Sequence, residues 1–541
     1  MPTGKHMDQK PSNDEACTEK RWPALEATYS VQDGQCDDLG ARVGTERKDL
    51  GPLTMVAVSF NICNSWVAIA SSLAIAVSAG GPVNIIYGTF FSLCIYAAVA
   101  TSLAELASIY PSAGGQYHFA SILAPSWCSR GVSYSCGIIA ISSWIALTAS
   151  ATLLAAQMLL ALPEYYIANY EPQNWHYFVV FQAINLTVLL YNVFAIRFTP
   201  RVHDIGFYLT LSTFVAVVIT CLAISEKQSS AYVWPTFENA TGWPSAVTFL
   251  TGLSTPCFMY AGIDATLHLA ETCTKPKTAV PRALMTTVVV GFITGFVFSV
   301  AMCYGISDLS ALVNTVQVVP ISTTSLAIEV HLLLLFCRML IYALWRQATR
   351  SDTAATIFLV ALLLIVFFVV NAMQQTTSRF VHAFVRDNGL IFSSKLATIH
   401  ETLDVPVWAL VADAGCIFAA GCIYLGSPTA FTSLVNSSIV LQMLSFATPC
   451  VLLIMRGRSE EVLPRKAGIS CPPVWLAGRR MWLLCWEECL SWYSSVSRGV
   501  YPVTGTTMNY ACGVLAVIAI IGAANWLFHA RQVLSWSEDY L

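Results

Sequence analysis

Charge is what this chain has least of: Asp, Glu, Lys and Arg make up 11% of its 541 residues, against about 25% in soluble globular proteins. So little charge cannot cover the surface of a water-soluble protein of this length. A Gly-rich, Lys-terminated phosphate loop is missing, as is a His-Glu-x-x-His zinc pattern, so neither ATP-driven transport nor zinc hydrolysis has a footing here. Nucleic acid is a poor partner for a net charge of −3 with no concentrated basic patch and no finger-like cysteine spacing. The first 50 residues contain no apolar core ahead of a cleavage site, which excludes an ordinary signal peptide. Cysteine is present, 18 times, but mostly inside apolar segments, as at Cys94, Cys136, Cys221, Cys303 and Cys416. Without metal-ligand spacing these read as small packing residues. No metal, no cofactor and no enzymatic nucleophile set is expected.

What the chain does have is apolar sequence, 56% of it. Spans of membrane-crossing length fall near 54–79, 84–109, 132–161, 176–196, 205–224, 245–270, 283–305, 352–373, 406–425, 430–455, 481–503 and 509–529. The expected fold is an all-α polytopic membrane protein with twelve transmembrane helices. Residues 1–50 form a flexible cytoplasmic tail, 51–530 the bilayer-embedded domain, and 531–541 a second cytoplasmic tail. A further segment, 326–345, carries Glu329, His331 and Arg338; a lipid-facing span would bear them at high cost, so it reads as inserted and non-spanning.

Twelve crossings with both termini inside leave only Lys227, Arg338, Arg346, Arg350 and Arg498 of the 28 Lys and Arg on the outer side. That bias is the positive-inside pattern. Letting 326–345 cross as well would turn Arg379 through Arg480 outward. The loop after the fifth span, outside in this arrangement, contains Asn239-Ala-Thr241, an N-glycosylation acceptor pattern that makes Asn239 a candidate site. Asn185-Leu-Thr187 and Asn436-Ser-Ser438 lie within spans and should remain unmodified.

Two spans are interrupted. The first reads Val58-Ser-Phe-Asn-Ile-Cys-Asn-Ser-Trp66 and later reaches Gly80-Gly81-Pro82; the sixth runs from Thr251 to Glu271 through Pro256, Gly262, Asp264 and His268. In hydrocarbon a broken helix survives only where protein or a cavity re-satisfies the freed peptide groups, which a ligand can then use. A pair of such spans is also the sequence pointer to a midplane site in inverted-repeat transporters. Asn61 and Asn64 serve either as contacts to a polar ligand or as interhelical hydrogen bonds. Asp264, a midmembrane carboxylate, belongs to an ion, proton or substrate path, or else is paired structurally with a tyrosine or with His268. His268, four residues on, is a proton-relay candidate or a strut. Phe258 and Tyr260 offer aromatic surface to a cationic ligand, or pack. In Glu105 to Gly115, Pro111 stops the second span, Gly114 and Gly115 allow a tight loop, and Glu105 closes it by pairing or capping. Pro281 is expected in the first turn of the seventh span.

These segments resemble the amino acid–polyamine–organocation superfamily, in its fungal branch of choline, GABA and amino-acid permeases. The motifs that carry the resemblance are Gly80 to Val83, Ala104 to Tyr117, Tyr260 to Ala265, His268 to Glu271 with Pro276, Val280 to Ala283, Ala348 to Ser351, Arg379 to Gly389, and Pro502 to Tyr510. The resemblance implies a LeuT-like five-plus-five inverted repeat, about 54–224 and 245–455, with two additional helices about 481–529. It implies a substrate site built from Asn61, Ile62, Cys63, Asn64 and Ser65 with Phe258, Tyr260, Gly262 and Asp264, and an inner loop containing Arg386. Glu105, Pro111, Gly114, Gly115, Glu271 and Arg386 would gate or brace it. Relatives carry a Gly-rich, carboxyl-binding break in the first helix; here Asn61-Ile-Cys-Asn64 stands instead, which keeps choline and other amines in contention. Thr272 replaces a second acidic residue.

The resulting expectation is a secondary transporter of a small amine, choline-like cation or amino acid, with a proton as co-substrate and the bilayer as its setting. A nontransporting nutrient sensor with the same fold is the competing class. The plasma membrane is the expected location, a vacuolar or other internal membrane the alternative. Glu487-Glu488 within the eleventh span and the 326–345 insertion break membrane rules; an altered splice boundary in the gene model accounts for both, and would make the chain an inactive product.

Overall fold

A computed structural model of the protein describes residues 50–167, 170–239, 242–305, 341–400, 402–456 and 510–534. Among the described residues, ten helical stretches are long and apolar enough to cross a membrane. In chain order the helices are α1 (Pro52–Cys63), α2 (Ser65–Ser78), α3 (Gly81–Ile109), α4 (Gln116–Leu123), α5 (Ser129–Tyr166), α6 (Asn174–Phe194) and α7 (Thr199–Ile224). Then come α8 (Ser245–Gly252), α9 (Ser254–Phe258), α10 (Ala265–His268), α11 (Pro276–Gly305), α12 (Asp352–Arg386), α13 (Val407–Gly426), α14 (Pro428–Met455) and α15 (Ala511–Asn525). The protein is an all-α polytopic membrane protein.

Sequence explains where several helices begin. Ser351 and Ser427 each accept an N–H from three residues on, at 3.3 Å in both cases, and so cap α12 and α14. Prolines near the starts of α1, α3, α7 and α14 occupy positions whose N–H would have no partner anyway. Lipid-side exposure of Val215, Ile219, Ile293, Leu364, Phe418, Ile520 and Ile521 matches a molecule whose outer surface faces hydrocarbon.

Two boundaries differ from the sequence expectation. The apolar run predicts that the eighth span ends near 373, but α12 continues to Arg386. Its second half is polar and yet buried, through Asn371, Gln374, Gln375, Thr376, Thr377 and Ser378; partners inside the bundle let a polar helix persist where hydropathy alone stops it. The expected inner loop containing Arg386 is therefore the last turn of a helix. Likewise Pro276, not Pro281, opens the seventh span, and Pro281 lies inside α11. At the sixth helical position Pro281 forgoes only the bond to the Lys277 carbonyl, near the helix mouth.

Residues 341–349 are helical and buried through Ile341, Leu344 and Trp345. The rest of the expected insertion, the eleventh span with Glu487-Glu488, and residues 1–49 and 535–541 of the two tails lie outside the described residues. α3 packs along α11, α5 along α14 and α12, α6 on α13, and α1 against α11 and α7. The first and sixth spans are tied at one end, where Leu50 N–H donates to the Thr272 carbonyl at 3.1 Å and Thr274 N–H to the Leu50 carbonyl at 3.2 Å.

Candidate functional site at the interrupted spans

The first span breaks at Asn64, which adopts a left-handed φ of 35° between α1 and α2. Asparagine tolerates that region better than other side-chain-bearing residues. Asn61 and Asn64 both turn toward α7: Asn61 Nδ2 donates to the His203 carbonyl at 2.8 Å, and Asn64 Nδ2 to Thr210 Oγ1 at 3.3 Å. The two amides thus bind the fifth span, while their Oδ1 atoms are buried without a hydrogen-bond partner among the described residues.

The sixth span is interrupted differently. From Cys257 to Leu267 it advances through successive i to i+3 turns, with N–H···O distances from 2.8 to 3.2 Å, rather than unwinding outright. Gly262 sits at φ 82°, where a Cβ would approach Ile62 Cγ2 to 2.7 Å and Trp144 Cη2 to 3.3 Å. Only glycine fits this crossing of the two breaks. Peptide groups freed by the turns are already taken by protein: Ser65 Oγ donates to the Met259 carbonyl at 2.8 Å, and Gly262 N–H donates to Gln442 Oε1 at 3.2 Å.

Asp264 is buried at 1% exposure, and its carboxyl is enclosed by polar groups from four elements. Oδ2 accepts from Gln116 Nε2 at 2.6 Å, from Trp144 Nε1 at 3.1 Å and faces His268 Nε2 at 3.1 Å; Oδ1 accepts from Gln442 Nε2 at 3.2 Å. The Gly262 N–H fixes Gln442 Oε1 as its acceptor, which leaves Nε2 for Asp264. His268 Nδ1 lies 2.9 Å from the Ala113 carbonyl, a pure acceptor, so Nδ1 carries a hydrogen. A second hydrogen must lie between Nε2 and Oδ2, since two lone pairs facing each other would repel. Asp264 and His268 therefore hold one proton between them, as an ion pair or as a neutral acid and imidazole. Phe380 stacks on the His268 ring at 3.9 Å between centroids and Trp144 meets it edge-on at 5.9 Å, which keeps water from the pair.

A small cavity of about 50 Å³ lies where the breaks meet. Ile62, Cys63 and Asn64 line it from the first span, Phe258 and Ala261 from the sixth, Leu147 to Leu154 from α5, and Val366 to Met373 from α12. No acidic side chain is among its lining residues. Asp264 is not among them, though its charge acts on Cys63, which is. Tyr260 also lies away from the cavity: its ring packs on Tyr96 at 4.9 Å and its hydroxyl donates to the Val288 carbonyl at 3.1 Å. Of the residues expected from sequence, the cavity gathers Ile62, Cys63, Asn64 and Phe258; Asn61, Ser65, Tyr260, Gly262 and Asp264 surround it at one remove.

A larger cavity of about 240 Å³ lies nearer the basic end of the bundle, lined by Arg197, Thr272, Gln375, Arg379 and Asp404 among others. Between the two sits a polar layer, since Asn61 bonds the His203 carbonyl and His203 Nε2 lies 2.9 Å from Gln375 Oε1.

The loop after α3 is fastened to the end of the sixth span. Pro111 follows the end of α3, Gly115 N–H donates to the Ser112 carbonyl at 3.1 Å, and the Ala113 N–H donates to Glu271 Oε1 at 3.2 Å. Glu105, expected from sequence to close this loop, is buried in the last turns of α3, and Glu271 supplies a carboxylate contact to the loop. Arg386 grips Glu271 with two parallel bonds of 2.9 Å each. Beside it, Tyr117 donates to Asp387 Oδ2 at 3.0 Å. Burial pushes the Asp387 carboxyl up to about 6, against the opposing pull of Arg386. Burial likewise drives His118 down to about 4, so it is neutral at physiological pH despite Glu271 nearby.

Asn239 is exposed, but its Nδ2 donates to the Trp243 carbonyl at 2.6 Å and its Oδ1 accepts from Thr248 at 3.1 Å. Gln116, Trp144, Phe380 and Gln442 were not legible as site residues. Gln116 lay within a motif singled out for its loop, and a midspan glutamine at 442 is the kind of polar interruption that could have drawn notice.

The model of the amino acid permease family, described as "Amino acid permease", matches residues 50–528. The chain is 30% identical over 501 residues to a choline transporter of Saccharomyces cerevisiae, covering 91% of this chain and 83% of the relative. It is 29% identical to a swainsonine transporter of Arthroderma benhamiae, covering 90% and 92% respectively. A 7-keto 8-aminopelargonic acid transporter of Saccharomyces cerevisiae is 25% identical, with 86% and 90% covered.

Proposed function

This chain belongs to the amino acid permease family, in the fungal branch of the amino acid–polyamine–organocation superfamily, and from that premise we propose that it moves a small amine, choline-like cation or amino acid by proton-coupled alternating access. The carrying observation is the meeting of the two interrupted spans around one small cavity, with Ser65 bonded across to Met259. Substrate would sit against Ile62 to Asn64 and Phe258, between spans 1–5 and 6–10 acting as the two inverted repeats. The basic end of the bundle would face the cytoplasm in either candidate membrane, the plasma membrane or an internal one. There the Glu271–Arg386 clasp with the loop at Pro111 to Gly115 would serve as the inner gate, above the 240 Å³ vestibule.

The Asp264–His268 pair would serve as the coupling device. Loss of its single shared proton leaves a net negative charge that acts on Cys63 and attracts a cationic substrate into the cavity. Return of the proton restores neutrality and releases the cation, so proton and cation occupy the pair by turns. A proton gradient would then drive the cation in the direction opposite to the proton. The names of the relatives give cargoes as different as choline and swainsonine, so the substrate has to be found by measurement.

Vesicles reconstituted with the full chain and given an imposed pH gradient should accumulate at least one radiolabelled compound among choline, GABA, polyamines and proteinogenic amino acids. Asp264→Asn should abolish the gradient dependence. Unchanged flux in that variant would remove Asp264 from the coupling step.

A further inference from the structure

One carboxyl in the bundle has no partner among the described residues. Asp413 lies on α13, about 9 Å from its first residue at 1.5 Å per residue. It is 1% exposed, and both carboxyl oxygens are buried without a hydrogen bond. Asp264, by contrast, is held by three donors and His268. Among the described residues no charged side chain acts on Asp413. The elements packed on α13 are α6, α12, α14, α5 and the short helix Ser393–Leu396; the polar side chains they carry include the amides Asn185, Gln182, Asn371 and Gln374 and the hydroxyls Ser437, Ser438, Thr148 and Thr152, while the cation Lys395 of the short helix lies over the Trp408 ring, 5.1 Å from its centroid, near the start of α13. Cys416 on its own helix is the titratable group that feels it.

An ionised carboxylate in such surroundings would cost several kcal/mol even after relaxation. A metal cation is a poor substitute for the proton, because it needs a shell of about six oxygens. The group nevertheless sits beside a continuous polar seam. Asn185 Nδ2 donates to the carbonyl of the adjacent residue, Ala414, at 3.0 Å; Gln374 Nε2 donates to Asn185 Oδ1 at 3.1 Å; Asn192 Nδ2 donates to Gln374 Oε1 at 3.3 Å. One residue further along α12, Gln375 meets His203, whose carbonyl holds Asn61 at the first-span break. Asn371, one turn from Gln374, has both amide atoms buried and unbonded.

We propose that Asp413 is a second proton-binding site, in the seam of α6, α12 and α13, which holds its proton in this conformation and yields it to the aqueous phase when the seam opens. The step is binding and release of one hydrogen ion at the carboxyl, with no other reactant. Its coupling to transport rests on the secondary-transport reading above; its protonation does not. Opening would let Asn371 and water solvate the carboxylate, and movement along α12 would be felt at the first-span break through Gln375 and His203.

Infrared spectra of the full chain in nanodiscs, taken at acid, neutral and alkaline pH, test the protonation. At neutral pH a neutral-carboxyl carbonyl band should be present, be lost in both Asp413→Asn and Asp413→Leu, and persist in Asp264→Asn. A spectrum unchanged by both Asp413 variants, or a band that responds to sodium at fixed pH, overturns the site. In vesicles, Asp413→Asn should retain counterflow of whichever panel compound the wild type accumulates and lose its pH-driven accumulation; undiminished accumulation overturns the coupling. If the wild type moves none of the panel, the transport reading fails, and the spectra still decide Asp413.

Discussion

Substituting Gly262 by alanine probes the contact between the two broken spans directly. Its φ of 82° places a side-chain-bearing residue in the left-handed region, which costs about 1–2 kcal/mol. The added Cβ would also stand 2.7 Å from Ile62 Cγ2, and forcing one extra carbon into a packed core costs about 1–3 kcal/mol. Gly262→Ala should therefore lose about 2–5 kcal/mol in all, split between backbone and contact. Ile62→Ala removes the opposing methyl and opens a cavity of its own, at about 2–5 kcal/mol. In the double variant the new methyl at position 262 has room, so the contact part should vanish and the backbone part remain. The expected coupling is a favourable departure from additivity of about 1–3 kcal/mol. Unfolding in mixed micelles by titration with sodium dodecyl sulfate, on all four proteins of the cycle, measures it. Additivity within about 0.5 kcal/mol would refute the reasoning, because it would mean that Ile62 and residue 262 do not touch.

Other substitutions test the inner clasp and the buried carboxylate. Asp387, pushed up to about 6 from the ordinary 3.8, binds its proton more tightly in the folded chain than in the unfolded one. Its contribution is thus fully present below pH 3.8 and is lost as pH rises through about 6, by at most roughly 3 kcal/mol at 1.36 kcal/mol per unit. Asp387→Asn should flatten the thermal midpoint against pH across that window and gain on the wild type above it; parallel curves would contradict the assignment. Arg386→Lys loses the two-pronged grip on Glu271, and with side chains 23% and 24% exposed the expected loss is about 1 kcal/mol. Glu271→Gln should cost a similar amount, and the double variant little more than either; full additivity would show that the pair does not act as a unit. Trp144→Phe deletes one donor to Asp264 while keeping the ring's bulk, and should lower stability by about 1.5–3 kcal/mol. A loss near zero would mean that the indole N–H does not hold the carboxylate.

Hydropathy and charge made much of the fold legible. Long apolar runs become helices because a bilayer leaves peptide groups no other general way to pair, and the interruptions at Asn61 to Ser65 and Gly262 to His268 stood out against that demand. Hydropathy failed along α12, where Asn371 to Ser378 look like the end of a span and are helix interior. It also failed to separate residues that line the cavity from those that brace it. Tyr260 and Asp264 belong to the same short motif, yet successive tight turns send both away from the cavity that Phe258 lines.

Asp413 shows the limit most clearly. A lone carboxylate within an apolar span is as conspicuous in sequence as Asp264, and the two are chemically identical. Sequence by itself determined that this chain lives in a membrane, that its fold is all-α with many apolar helices, and where two of its apolar runs are interrupted, because those properties follow from local composition against a fixed hydrocarbon thickness. Only the tertiary structure decided what each polar group does there. Polar groups from α4, α5, α10 and α14 converge on Asp264 from as far as 178 positions away in sequence, and among the described residues none bonds Asp413. In a low-dielectric interior the partner sets the charge state of a carboxyl, and partners are assigned by packing.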